Sequence, residues 1–140
     1  MRSGPIVLIE DDADDKAIIE EILDDLKVKN KLLWFIKSTD ALQYLITTSD
    51  QPFLIFCDVN IPGDNGIEHK RQIDQNPYLR RKSIPFVFYS TSVDQETINE
   101  VYSEMTVQGF FQKGNTYEEM KTYIRIIVDY WTICRHPNTR

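Results

Sequence analysis

Short apolar runs alternate along the chain with longer segments whose apolar positions recur every three or four residues. PIVLIE (5–10), KLLWFI (31–36), FLIFC (53–57), IPFVFYS (84–90) and GFFQK (109–113) are rich in β-branched and aromatic residues and predict five strands. DDKAIIEEILDDLK (14–27) places Ile18, Ile19, Ile22, Leu23 and Leu26 on one helical face. Ser38, Thr39 and Asp40 offer capping side chains to a second helix bearing Ala41, Leu42, Leu45 and Ile46. GIEHKRQI (66–73) predicts a short third helix. DQETINEVYSEM (94–105) predicts a fourth, with Ile98, Val101, Tyr102 and Met105 on one side. YEEMKTYIRIIVDYW (117–131) predicts the last, with Met120, Tyr123, Ile124, Ile127, Val128 and Trp131 at helical spacing. LRRK (79–82) reads as a basic, solvated loop.

Five strand–helix units in alternation imply parallel pairing through right-handed crossovers. The first, third and fourth strands lack polar alternation, as strands covered on both faces do. The expected architecture is a three-layer α/β/α sandwich: a five-stranded parallel sheet in the order 2-1-3-4-5 with five helices, the flavodoxin-like arrangement. The 140 residues suffice for one domain, with its core over about 5–131 and a polar tail over 132–140.

Charge and composition narrow the partners. The net charge of −6 argues against nucleic acid and anionic membrane, which need a basic surface. No apolar run approaches the roughly 20 residues of a membrane span. The start, MRSGPIVLIEDD, lacks the charged and apolar regions of a secretory signal, so the cytoplasm is the expected location. Cys57 and Cys134 form no metal-ligand spacing and read as reduced, buried thiols.

Ligands of an open parallel sheet bind beyond the carboxyl ends of its strands. Those ends carry Glu10-Asp11-Asp12, Asp58, Ser90-Thr91-Ser92 and Lys113; the second strand ends in Lys37-Ser38, a connection and cap. Clustered acids repel unless a cation sits among them. Oxygen ligands without paired His or Cys favour a hard cation such as Mg2+. Held by Asp11 and Asp58, it would stand beside a carboxylate that also faces an amine and a hydroxyl. Such a carboxylate can attack phosphorus while its neighbours neutralise the phosphoryl oxygens, which points to an aspartyl phosphate.

VLIEDD, DVNIPGDNG, IPFVFYSTS and GFFQK, in this order over about residues 5–131, resemble the response-regulator receiver domain of two-component signalling, the chemotaxis-regulator-like fold. The resemblance implies Asp58 as phosphoacceptor and Glu10 and Asp11 as the acidic pair, with Asp11 the direct metal ligand. It implies Asn60 as the residue lending a backbone carbonyl to Mg2+. Ser90, five residues after Pro85, matches the hydroxyl that bonds the phosphoryl group, Lys113 the lysine that pairs with it, and Phe110 the aromatic switch. Asn60 and Ser92 resemble the positions that tune hydrolysis. The implied partners are a sensor histidine kinase or histidine phosphotransfer protein and a downstream protein target. The implied docking face is the helix 94–105, the strand 109–113 and the helix 117–131, which is also offered for a homodimer. The STS after the fourth strand is similar to regulators that pair with phytochrome-type or hybrid kinases. No room is left for an output module, so a single receiver over 1–140 is expected, and not an enzyme beyond self-phosphorylation chemistry.

One departure stands out. The family usually follows this lysine with proline through a cis peptide, and here Gly114 follows. A cis bond before a non-proline residue costs roughly 2.5–4 kcal/mol; glycine can instead turn at a trans bond through unusual backbone angles. Plainer readings stand beside these. Asp14 and Asp15 read as solvated acids favoured at a helix start. His69 reads as a lone surface histidine and His136 as a tail residue. Tyr102 and Tyr123 read first as core residues. A pseudo-receiver that binds without being phosphorylated, and an aspartate-nucleophile phosphatase, are the rival functions. The phosphatase chemistry asks for a second aspartate where Asn60 stands.

Overall fold

The computed structural model describes residues 3–59, 66–91 and 94–138. Its strands are β1 (Ile6–Ile9), β2 (Leu32–Phe35), β3 (Leu54–Asp58), β4 (Phe86–Ser90) and β5 (Gly109–Gln112). All pairings are parallel, in the order β2-β1-β3-β4-β5, as the alternation predicts. The helices are α1 (Ala13–Asp25), α2 (Ser38–Thr47), α3 (Gly66–Gln75), α4 (Pro77–Lys82), α5 (Gln95–Glu104) and α6 (Tyr117–Ile133).

Side chains on a strand point to alternate faces, and the core divides accordingly. Val7, Ile9, Ile55, Cys57, Phe86 and Phe88 pack toward α2, α3, α4 and α5. Ile6, Leu8, Leu54, Phe56, Val87 and Tyr89 pack toward α1 and α6. β1, β3 and β4 are buried throughout, whereas β2 and β5 are half-buried at the two edges. Three adjacent strands sealed on both faces hold the residues at their carboxyl ends on a stiff frame.

The structure corrects several expectations. Six helices, not five, stand among the described residues, because the basic stretch 79–82 is helical. Asn76 caps α4 by accepting from the Leu79 N–H, and Pro77 fits its first turn, where no intrahelical donor is needed. Leu79 and Lys82 are buried, and the Lys82 ammonium donates to the carbonyls of Thr48 and Asp50. α2 begins at Ser38 itself, with Lys37 at the cap position and no side-chain cap bond. His69 is buried on α3. Tyr102 is exposed rather than core: its hydroxyl accepts the outward N–H of Phe110 on the edge strand β5. The chain after α6 is docked: the His136 ring is buried on Phe53 and bonds its carbonyl at 2.7 Å, and Asn138 donates to Arg81 and Lys82 carbonyls. Both cysteines are free; Cys57 is buried and Cys134 half-buried. No described helix is long and apolar enough to cross a membrane.

Candidate functional site

Strand alternation assembles the site. Leu8, Phe56, Val87 and Phe111 face α1 and α6. Two residues further on stand Glu10, Asp58, Tyr89 and Lys113, on the same side at the carboxyl end of the sheet. The parallel registers bring them level: Asp58 pairs with Tyr89, and Tyr89 with Phe111.

The Lys113 ammonium joins this end of the sheet to the first turn of α1. It lies 2.7 Å from Asp15 Oδ2, 3.1 Å from Asp58 Oδ2 and 3.2 Å from Glu10 Oε1. Glu10, Asp15 and Asp58 each bring one carboxylate oxygen within 4.8 Å of the others, a grouping able to hold a metal ion. These oxygens fit a hard divalent cation: three carboxyl groups meet one ammonium, and no soft ligand joins them. Glu10 is fully buried. Burial and the charge of Asp58 push its carboxyl up to about 7, against the Tyr89 hydrogen bond and the Lys113 charge. Burial alone would lower the Lys113 ammonium, but the carboxylates of Asp15, Glu10 and Asp58 raise it, so it stays charged.

Tyr89 is a site residue that sequence reasoning passed over. Its buried hydroxyl donates to Glu10 Oε1 at 2.8 Å, and Lys113 Nζ sits 4.8 Å from its ring centroid. Burial and the neighbouring Glu10 push its phenol well above the ordinary range, so it remains a donor. Asp15, read from sequence as solvated, is the second such residue. Asp12 Oδ1 accepts from the Asp14 and Asp15 N–H groups as the cap of α1, which aims the first turn at Lys113. Asp11, half-buried directly after Glu10, is not one of the carboxylates grouped around Lys113. Asn60 and Ser92, and the loop residue Pro62, lie outside the described residues.

Ser90 and Phe110 stand on the other face. Ser90 is buried at the end of β4, and Phe110 packs on Phe88 and the α5-side core. The Lys113 N–H donates to the Ser90 carbonyl at 2.7 Å, so the two faces are joined through adjoining backbone.

Gly114 reaches its turn without a cis bond: every described peptide bond is trans. Nor is a left-handed backbone its reason. A Cβ there would stand 2.8 Å from the Met120 backbone nitrogen and 3.1 Å from Glu119, so glycine admits the start of α6 against the lysine. The turn is tied down by Asn115 N–H to Glu119 and by the Thr116 cap of α6. Gly66 serves similarly below the site, where a Cβ would lie 2.7 Å from the Asp58 carbonyl oxygen.

The family model of the response regulator receiver domain matches residues 6–125. The chain belongs to that family. This receiver, a domain of two-component signalling, is 28% identical over 131 residues to response regulator Rcp1 of Synechocystis, covering 90% of this chain and 87% of that protein. The phosphorylated cyanobacterial phytochrome response regulator RcpA matches its fold with a TM-score of 0.84 at 25% identity, over 98% of this chain and 99% of that one. The Mn2+-bound form of Rcp1 gives 0.82 at 25% identity, over the same shares.

Proposed function

We propose that this receiver accepts a phosphoryl group on Asp58 from the phosphohistidine of a sensor kinase or phosphotransfer protein, and signals by protein contact. The observation that carries the reading is the Lys113 ammonium 3.1 Å from Asp58 Oδ2 within a cluster of excess negative charge. Asp58 oxygen attacks phosphorus, the phosphorus–nitrogen bond breaks, and the imidazole leaves with its electron pair and takes up a proton. The Lys113 ammonium and the Ser90 hydroxyl offer donors to the phosphoryl oxygens. Glu10, Asp11, Asp58 and the Asn60 carbonyl are the residues that would hold Mg2+. Bound there, the ion would neutralise charge on the transferring group.

Recruitment of Ser90 would pull on the face where Phe110 packs, biasing a two-state surface over α5, β5 and α6. That surface suits protein contact. A groove of about 470 Å3 runs between Tyr102, Phe110, Ile126 and Tyr130, and Tyr102, Ile126 and Tyr130 are each more than half exposed. It is the face through which a downstream protein, or a second copy, would bind. The resemblance to RcpA, a phytochrome response regulator, supports a phytochrome-type kinase as the donor.

The reading is tested by incubation with acetyl phosphate or beryllofluoride and Mg2+. Wild-type protein gains one phosphoryl group from acetyl phosphate by intact mass and responds to beryllofluoride only with Mg2+, and Asp58→Asn loses acceptance at least about 100-fold, with its fold intact by circular dichroism. Mg2+-independent behaviour, with no phosphoryl gain from either acetyl phosphate or a panel of kinases, would make the chain a pseudo-receiver.

A further inference from the structure

An ammonium has three N–H donors, and those of Lys113 face three carboxylates: Asp15 at 2.7 Å, Asp58 at 3.1 Å and Glu10 at 3.2 Å. A phosphoryl oxygen can gain a full bond from this lysine only if one of the three is released. The three are not equally easy to release. The side chains of Glu10 and Asp58 are 0% and 7% exposed, whereas that of Asp15 is 33% exposed. Water can take over the bond that Asp15 gives up, whereas Glu10, shielded from water, would keep only its neutral donors, the Tyr89 hydroxyl and the Asp12 N–H, and Asp58 must stay beside the lysine to carry the phosphoryl group. The α1 cap fixes the Asp15 backbone, so rotation of one side chain suffices. The Tyr89 ring keeps the ammonium seated meanwhile. Asp15 also carries a negative charge beside the place a phosphoryl dianion would enter.

We propose that Asp15 is a positioning residue that latches Lys113 in the resting site and releases it to the phosphoryl group. The latch rests on the reading of Asp58 as phosphoacceptor. Asp15 thereby opposes phosphorylation: its removal frees one donor and relieves one like charge.

The test measures beryllofluoride affinity with saturating Mg2+ in wild type, Asp15→Asn and Asp14→Asn. Trp34, whose indole N–H donates to the Glu10 carbonyl, supplies the fluorescence signal. Asp15→Asn is expected to bind roughly 3–10-fold more tightly, the scale of one half-exposed ion pair, with Asp14→Asn unchanged. Mg2+ affinity without beryllofluoride should fall less in Asp15→Asn than in Asp11→Asn, because the bond Asp15 makes in the resting site is to Lys113. Independently, amine labelling read by mass spectrometry should mark resting Lys113 severalfold faster in Asp15→Asn. Weaker beryllofluoride binding, unchanged labelling, or a loss of Mg2+ affinity that shows Asp15 to be a metal ligand overturns the latch. A wild type that shows no Mg2+-dependent response overturns the phosphoacceptor reading as well, and is thus told apart from failure of the latch alone.

Discussion

Among the described residues, half-buried Lys113 and buried Lys70 both sit against carboxylates, and their surroundings set them opposite tasks. Lys113 meets three acids at the carboxyl end of the sheet. Lys70, on α3, meets one, Asp74 at 2.8 Å, together with the Thr106 hydroxyl at 3.2 Å and the Phe86 ring. The first cluster carries more negative charge than its ammonium can balance and can take a further cation. The second is neutral and closed, with Asp74 also accepting from the backbone and hydroxyl of Thr106, so it ties α3 to the turn after α5. Their titrations diverge. Burial lowers the Lys70 ammonium despite Asp74, while the acids raise Lys113. The same chemical pair is thus a strut in one place and a charge-deficient receptacle in the other, and what separates them is the count of acids around the amine.

The largest effect is expected at the strut. Lys70→Met removes the partner of a largely buried carboxylate and should cost roughly 2–4 kcal/mol in urea unfolding. The joint change Lys70→Met with Asp74→Leu should recover most of that, because no unpaired charge remains. Beryllofluoride binding at the other end of the sheet should be unaffected by either. A Lys70→Met variant as stable as wild type would show that the two lysines are not distinguished in this way.

How far this contrast could be read from sequence depends on the range of the forces. The five strands and five of the helices follow from hydrophobic period, which is local, and the sheet order follows from the βα alternation. α4 escaped because six residues ending in Arg80, Arg81 and Lys82 show no apolar period; the Asn76-Pro77 start signal was there to find. At the site, Glu10, Asp58, Ser90 and Lys113 were legible as strand ends. Tyr89 was hidden because an aromatic within a strand reads as core, although its parity with Asp58 across β3 and β4 places it under the acids. Asp15 was hidden because a charge at a helix start reads as solvated, and only the reach of Lys113 from the far strand makes it part of the site. Gly114 looked like a weakness in the lysine loop. Its reason lies in the packing of α6, which no local pattern displays.

A smaller effect, of opposite sign in pH, separates the two acids. The Glu10 carboxyl, raised to about 7 in the fold, contributes stability that is complete below the ordinary glutamate range and lost as pH rises through about 7. Burial would raise Asp74, but the Lys70 and Thr106 bonds hold it below its ordinary range. Its contribution is present above that range and lost as pH falls through its lowered value. Melting without divalent cation should therefore show Glu10→Gln stabilised relative to wild type at pH 8, by about 1–2 kcal/mol because the Tyr89 bond and the Lys113 charge offset part of the burial cost, and not at pH 5. Asp74→Asn should be destabilised at pH 8, with the difference narrowing in acid. Added Mg2+ should erase the advantage of Glu10→Gln, since an ion needs the ionised carboxylate. Parallel pH slopes for the two variants would contradict the contrast.

The finest probe is Thr106→Val, which keeps the shape of the strut and removes one hydroxyl. The Thr106 hydroxyl donates to Asp74 Oδ1 at 2.6 Å and accepts from Lys70, while its N–H to Asp74 Oδ2 at 3.0 Å survives the change. Lys70 then retains Asp74 and the Phe86 ring, so neither charge is left bare. The cost should be about 1 kcal/mol, because the two hydrogen bonds of the hydroxyl lie at a partly exposed edge and the charged pair itself survives. Thermal unfolding measures it, and comparison with Lys70→Met gives the share of the strut that is charge pairing. Should Thr106→Val cost as much as Lys70→Met, the hydroxyl and not the ion pair would be what joins α3 to the turn after α5. The neutrality that sets Lys70 apart from Lys113 would then be incidental to its role.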